Sequence, residues 1–395
     1  MPAPRVRAAR DLASIGILLT ALVLPGLGLI AGLGGAPPGA ERRALAERPA
    51  LPASLSSAGD YARRFDAFLN DHFAFRTDLL RLYNHITTLW LSRRPTESVE
   101  VMVGRNGWLY YTGNETLRFL EGRNPFLEAE VRAWDRSIRA RARWLAQRGI
   151  RYLVVFTPDK GTIYPEYLPE WVRPSRHGSR LDQLMTVMPG GGEAAIVDLR
   201  RTLLDAKRAF ARPVYAATDS HWNALGTYAA YREIVARLGL WFPGTRPAPL
   251  SSFALTWERL PGGDLARMLG LERQMFEDTP ILTPVVPARA RPIDPDPDEA
   301  ARWRQAGRQA AVTTREGAGI ESAIVFHDSF ATALVPLLAE HFGRAVFLWT
   351  YDFDCDAIER ERPSVVIQEY AERMLSVMTP RNPPQVNELA KAELR

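Results

Sequence analysis

Cysteine is all but absent: Cys355 is the only one in 395 residues, which excludes an internal disulfide and any cysteine-based zinc site. Lysine is nearly as scarce, with Lys160, Lys207 and Lys391 the only three, so arginine carries the positive side of the balance. The formal net charge is +5, from 50 Lys+Arg against 45 Asp+Glu. No run of five or more basic residues accompanies it, so the chain lacks the footprint of a nucleic-acid-binding protein. A mildly basic surface suits an acidic polysaccharide or anionic lipid headgroups instead. No internal repeat is visible. With 46% hydrophobic and 24% charged residues, a disordered or fibrous chain is also excluded. The length fits two or three domains, or one elaborated α/β domain.

What is present begins at the N-terminus. Arg5, Arg7 and Arg10 precede an uncharged stretch over 12–40 with the apolar core LASIGILLTALVLPGLGLIAGLGG. About 20 apolar residues cross a hydrocarbon layer, and arginines on the N-terminal side keep that end in the cytoplasm. Pro25 and the many glycines of this stretch make a buried soluble helix a poor reading. The expectation is an uncleaved signal anchor or membrane helix over 1–40, spanning about 12–35. The small-residue tail AGLGGAPPGA makes a cleaved signal peptide the alternative. Both readings put the rest of the chain outside the cytoplasm, in the periplasm.

Residues 41–58, rich in Ala, Pro and Ser, read as a linker. Over 61–91 the apolar positions recur at helical spacing, interrupted at 71–77, which predicts a helical hairpin or kinked helix. Strands at 99–103 and 108–111 flank Arg105-Asn106-Gly107, a hairpin signal. Helices are expected over 127–148, from 200 to 210, over 223–238, over 332–341, near 356–360 and over 369–375. Strands are expected at 152–156, 195–199, 322–326, 345–348 and 364–367. This alternation predicts an α/β fold with a mostly parallel sheet flanked by helices. A Pro-rich insertion, 241–320, is weakly periodic, with 280–297 expected to be its least structured part, and 379–395 reads as a loose polar tail.

Two segments carry chemistry. In Thr218-Asp219-Ser220-His221-Trp222-Asn223, Asp219 and His221 are two apart, so on extended backbone they leave the same face. A carboxylate beside an imidazole fixes its tautomer and stabilises its protonated form, as a general base requires. Asp219 as a helix cap is the plainer alternative. In Val325-Phe326-His327-Asp328-Ser329-Phe330, Ser329 stands where a buried strand turns into a helix, the position at which open α/β sheets expose their reactive groups. A cap at Ser329 or Asp328 is the alternative there, and His327 reads as a local hydrogen-bonding residue. Together the segments supply a nucleophile, a base and an orienting acid: Ser329, His221 and Asp219.

These segments resemble the alginate O-acetyltransferase family of the AlgJ and AlgX type, with its SGNH-hydrolase-like domain. DSHWN resembles the [ST]-D-x-H-W segment and HDSF the nucleophile block. VGRNGWLYY resembles a family hairpin, VFTPDKGTIYPEYLP a family loop, and SVVIQEYAERML the C-terminal strand and E-x-x-E-R helix. The resemblance covers about residues 60–378 and departs at His327, where the family has glycine. It is closer to the membrane-anchored AlgJ form, since no C-terminal carbohydrate-binding β module is legible. One SGNH-like domain is therefore expected over 59–378.

The resemblance implies transfer of an acetyl group through Ser329 as nucleophile, His221 as base and then acid, and Asp219 orienting His221. It adds a contribution from the block after the serine, where Tyr351 is the local candidate for a substrate or oxyanion contact, with a packed aromatic the alternative. Lys160, a scarce lysine in a loop after a buried strand, is a candidate to face the same cleft, with a surface or salt-bridged lysine the alternative; Trp222 is expected to pack beneath the site, and Asp264 in GGDL to be structural. The implied partners are an exported polysaccharide chain and a multi-pass membrane acyltransferase that supplies acetyl groups, with the inner membrane contacted through the N-terminal helix. No cofactor and no metal are called for. An O-acetyl esterase would use the same triad, and a non-catalytic assembly scaffold would need none of it. A metal-dependent phosphoesterase is disfavoured, because no second His/Asp cluster has ligand spacing.

The N-terminal reading is checked by topology. A phosphatase reporter fused to the C-terminus should be active outside the cytoplasm, and the protein should fractionate with inner membranes. Recovery as a soluble protein shortened by about 35–40 residues would show a cleaved signal instead.

Overall fold

A computed structural model describes residues 46–52, 58–72 and 100–387, apart from 176–177 and 189–193, together with five isolated positions before residue 30. The chain divides into two units, Met1–Arg93 and Arg94–Arg395. In the first, the helix Ala58–His72 bears the expected helical spacing as a ladder of rings, Tyr61 on Phe65, Phe65 on Phe68 and Phe68 on His72. The expected membrane segment, and the second half of the helical pair over 61–91, lie outside the described residues. Among the described residues no helix is long and apolar enough to cross a membrane.

The second unit opens with the expected hairpin, β1 (Val101–Val103) paired antiparallel with β2 (Leu109–Tyr111). Asn106 and Gly107 turn it with φ of 56° and 76°, the left-handed region that Asn and Gly enter most easily. The main sheet contains β3 (Arg151–Thr157), β4 (Ala194–Asp198), β7 (Arg291–Ile293), β8 (Gln309–Thr314), β9 (Ile320–His327), β10 (Phe342–Trp349) and β11 (Val365–Ala371). Its order is β4-β3-β11-β9-β10-β8-β7. The pairs from β4 through β10 are parallel, and β8 and β7 add antiparallel at one edge. The sheet is thus mixed, with the expected parallel core.

Continuous apolar strands are the signature of burial on both faces, and the alternation of side chains shows it here. Leu153, Val155, Val325, Phe347 and Ile367 face one core, with Leu203 and Val235 from the helices Leu199–Phe210 and Ala224–Leu238. Val154, Phe156, Phe326, Leu348 and Val366 face the other, with Trp134, Ile138 and Leu145 from the helix Glu128–Ala146.

Three expectations are corrected. The insertion 241–320 is built structure: β5 (Phe253–Pro261) pairs with β6 (Phe276–Pro284) over nine residues, and the helix Asp264–Leu269 lies between them. Within 280–297, β6 runs to Pro284, β7 joins the main sheet, and Pro297 starts the helix Pro297–Gln305. Proline is compatible with a two-stranded ribbon and an edge strand, where a missing N–H leaves no ladder bond unmade, so its abundance misleads. No helix covers 369–375; β11 continues to Ala371 and a tight 3-10 turn, Glu372–Ser376, follows. The polar residues Gln368 and Glu369 break the apolar strand pattern, yet both are fully buried. The third concerns the tail, which is docked as far as 387. Arg141, buried in the helix Glu128–Ala146, donates to Asn382 Oδ1 and the Arg381 carbonyl on one side and to Gln368 Oε1 and the Tyr370 hydroxyl on the other.

The carboxyl ends of β3, β9 and β11 meet in a buried layer of acids: Asp159, Asp328, Glu369 and Glu372, with Arg373 beside them. Arg373 Nη1 pairs with Asp159 Oδ1 at 3.0 Å. The Asp159 N–H and the Thr162 hydroxyl donate to Glu372 Oε2 at 3.0 and 2.6 Å. Burial, then the charge of Asp159, pushes the Glu372 carboxyl from its ordinary 4.5 up to about 8. Burial, then the charge of Asp328, raises Glu369 well above the carboxylate range. The folded chain therefore keeps a proton on Glu372 that the unfolded chain releases at lower pH. The stability this brings is complete below the unfolded value and lost as pH rises through the folded one. Glu372→Gln should abolish that dependence. In urea denaturation from about pH 5 to about pH 9, the wild type should lose stability relative to the variant by up to about 1.4 kcal/mol per pH unit; parallel profiles would refute the assignment.

Candidate active site

Ser329 lies two residues beyond the end of β9, at the cap position of the 3-10 turn Phe330–Leu334. Its own side chain does not cap that turn; the Asp328 carboxylate does the anchoring. Asp328 Oδ1 accepts the Phe330 N–H at 2.8 Å, and Oδ2 accepts the Tyr351 hydroxyl at 2.7 Å and the Ala371 N–H at 3.1 Å. The Asp328 N–H donates to Glu369 Oε2 at 3.0 Å. His327 is buried against the rings of Phe347 and Trp349. Its Nδ1–H donates to the Asp328 carbonyl at 2.8 Å, and burial lowers its pKa. It is the local hydrogen-bonding residue expected.

Asp219 and His221 lie on a narrow loop closed by a bridge between Tyr215 and Trp222. The helix that follows, Ala224–Leu238, is capped by Asn223, whose Oδ1 accepts the Leu225 and Gly226 N–H groups. Asp219 is thereby free for His221. The loop is gripped from two sides. Lys160 Nζ donates to the carbonyls of Ala216, Ala217 and Asp219 at 3.0, 3.1 and 2.6 Å. Glu277 of β6 accepts the Ala217 N–H at 2.6 Å, the Thr218 N–H at 3.1 Å and the Thr218 hydroxyl.

The two segments meet at one proton path. His221 Nε2 lies 2.8 Å from Ser329 Oγ, and His221 Nδ1 lies 2.7 Å from Asp219 Oδ1. An ionised carboxylate only accepts, so Nδ1 carries the ring proton and Nε2 is left to accept from the serine hydroxyl. Burial alone would raise the pKa of Asp219. The hydrogen bonds and charge of His221, with the Asp264 and His221 N–H groups, outweigh it and hold the carboxyl below the ordinary carboxylate range. Phe330 meets the His221 ring edge to face at 4.9 Å, packs on Trp222 at 5.4 Å and has the Arg373 guanidinium over its ring at 4.9 Å. Asp219 and His221 remain about a quarter exposed at the side chain, so a small ester can reach them.

Lys160 and Tyr351 sit elsewhere than expected. Lys160 is buried beneath the Asp219 loop, and its three carbonyl partners use every proton of an ammonium group; burial pushes its pKa down to about 7 against the pull of Asp219, Glu277 and Asp264. Tyr351 commits its hydroxyl to Asp328 and stacks its ring on Tyr370, so it supports the nucleophile turn rather than the reacting atoms. Trp222 is buried against Phe330, as expected. Glu277, Phe330 and Arg373 escaped the sequence reading. Asp264 is more than a distant structural residue: its Oδ2 lies 3.6 Å from His221 Nδ1. Asp219, His221 and Asp264 offer three ligating atoms within 4.8 Å, a grouping that could hold a metal ion, but Nδ1 and both carboxylates are already hydrogen-bonded within the loop. Beside Trp222 a groove of about 1070 Å³ opens, lined by Asn223, Thr227, Phe253, Val285 and Arg289 among others.

Residues 101–300 match the family model described as "SGNH hydrolase-like domain, acetyltransferase AlgX". A curated relative, the "Probable alginate O-acetylase AlgJ" of Pseudomonas aeruginosa, is 28% identical over 221 residues, 54% of this chain and 51% of that protein. The chain thus spans about half the length of that relative. Bacillus cereus PatB1 superposes with a TM-score of 0.53 at 15% identity, covering 72% of this chain and 99% of PatB1. PatB1 with a sulfonyl adduct gives the same TM-score at 16% identity, covering 71% and 96%. The PatB1 match is one of fold. With the model covering half of the sequence, including the loop that carries Asp219 and His221, the chain belongs to the AlgX-type SGNH hydrolase-like acetyltransferase family.

Proposed function

We propose that this protein is a polysaccharide O-acetyltransferase that works through an acetyl-Ser329 intermediate on the exported side of the inner membrane. The observation that carries the reading is the unbroken hydrogen-bond path from Asp219 through His221 to Ser329. In the first step Ser329 Oγ attacks the acetyl carbonyl of the donor ester while His221 Nε2 takes its proton. The tetrahedral intermediate collapses, and His221 returns that proton to the departing donor alcohol or thiol. In the second step a sugar hydroxyl gives its proton to His221 and attacks the acetyl carbon. Ser329 leaves, recovers the proton, and the sugar carries the ester. Asp219 keeps the imidazole in the tautomer both steps need.

A multi-pass membrane acyltransferase is the proposed acetyl supplier, and an exported glycan the acceptor. The similarity to a probable alginate O-acetylase supports a polysaccharide acceptor.

Ser329→Ala removes the acyl acceptor, and Asp219→Asn leaves the packing but sets the wrong tautomer of His221. Both should fold and lose about three to six powers of ten in turnover of nitrophenyl acetate. With no sugar present, mass spectrometry of the wild type should find one added acetyl group on the peptide containing Ser329. An added oligosaccharide should then become acetylated. Net loss of acetyl groups from the sugar would make the protein an esterase, and equal behaviour of wild type and Ser329→Ala would leave a scaffold.

A further inference from the structure

Two carboxylates face the catalytic imidazole, and the mechanism above uses one. His221 Nδ1 lies 2.7 Å from Asp219 Oδ1 and 3.6 Å from Asp264 Oδ2. The Ser220 hydroxyl sits between the ring and the second acid, 3.3 Å from Nδ1 and 2.6 Å from Asp264 Oδ2, to which it donates. The two acids are interlocked through the backbone. The Asp264 N–H donates to Asp219 Oδ2 at 2.9 Å, and the Ser220 N–H donates to Asp264 Oδ1 at 2.6 Å. The approach is close enough that a Cβ on Gly263 would lie 2.4 Å from Asp219 Cβ and 2.5 Å from its Oδ2. Gly263 and Asp264 are therefore fitted to the catalytic acid.

We propose that Asp264 is a positioning residue of this site, a second anion that stabilises the protonated ring of His221; the assignment rests on the acyl-transfer reading above. Nδ1 has one proton, and Asp219 takes it. Asp264 acts through its charge and through Ser220. When Nε2 accepts the Ser329 proton the ring becomes a cation, and both anions attract it over distances at which little solvent screens them. The other charges around the ring are fixed by their own partners. Glu277 holds the Ala217 and Thr218 N–H groups, Lys160 Nζ holds the Asp219 carbonyl, and Arg373 lies over the Phe330 ring, paired with Asp159.

The test is an NMR titration of His221 in the full chain with isotope-labelled histidine, the resonance assigned by its loss in His221→Gln. Asp264→Asn keeps the shape and removes the charge, and should lower the His221 pKa by about one unit. Ser220→Ala keeps the charge and removes the hydroxyl, and should leave the value unchanged or raise it. An unmoved His221 in Asp264→Asn, or the same fall in Ser220→Ala, would overturn the proposal and make Asp264 a purely structural partner of Ser220. Should Asp264→Asn fail to fold, a fall of the His221 value in Ser220→Ala would still overturn the proposal, and a rise would support it. The acid limb of ester turnover should move with the NMR value in Asp264→Asn. If Ser329→Ala turns over ester like wild type, the acyl-transfer reading fails, while the titration still reports on Asp264.

Discussion

The placement of Ser329 depends on one buried carboxylate. Asp328 sits where three parallel strands end, and its two oxygens gather a backbone N–H from the nucleophile turn, a backbone N–H from β11 and the hydroxyl of Tyr351 beyond β10. A buried anion is costly unless hydrogen bonds satisfy it, and these three donors come from different elements. The carboxylate thereby ties β9, β11 and the segment after β10 into one rigid corner. Burial, and then the same charge, raises the pKa of a neighbouring acid, Glu369, well above the carboxylate range, which works against accumulating anions the layer cannot pair.

His221 is held by a different device. Its loop has little secondary structure of its own, and its backbone polar groups are satisfied by two long side chains from opposite sides: the Lys160 ammonium takes the carbonyls and the Glu277 carboxylate takes the N–H groups. Lys160 comes from the main sheet, just after β3, and Glu277 from the separate β5–β6 ribbon. The proline-rich insertion is thus part of what holds the loop of Asp219 and His221 in place.

The parallel core was legible because its strands are apolar without interruption, and the cluster of Asp219, His221 and Ser329 because D-x-H and a serine after such a strand are short, local patterns. The same locality explains what was missed. Glu277 lies about sixty residues from the loop it holds, in a segment whose prolines mask its strand pattern. β11 hides its end behind Gln368 and Glu369, polar residues that are buried because the acid layer and Arg141 give them partners. Lys160 and Tyr351 were noticed for their type and neighbourhood, but only the tertiary structure shows that each serves a backbone or a turn. Asp264 was visible in the sequence, yet its nearness to His221 depends on the fold around Gly263.

The pairing of His221 with Ser329 spans 108 positions of sequence, whereas Asp219 and His221 are two apart. Closing so long a loop comes at a high entropic cost and is rewarded only when the sheet and the flanking ribbon are in place. Until then Ser329 has no imidazole beside it. The contact between the two side chains is therefore a late property of this chain, acquired at the moment of tertiary closure.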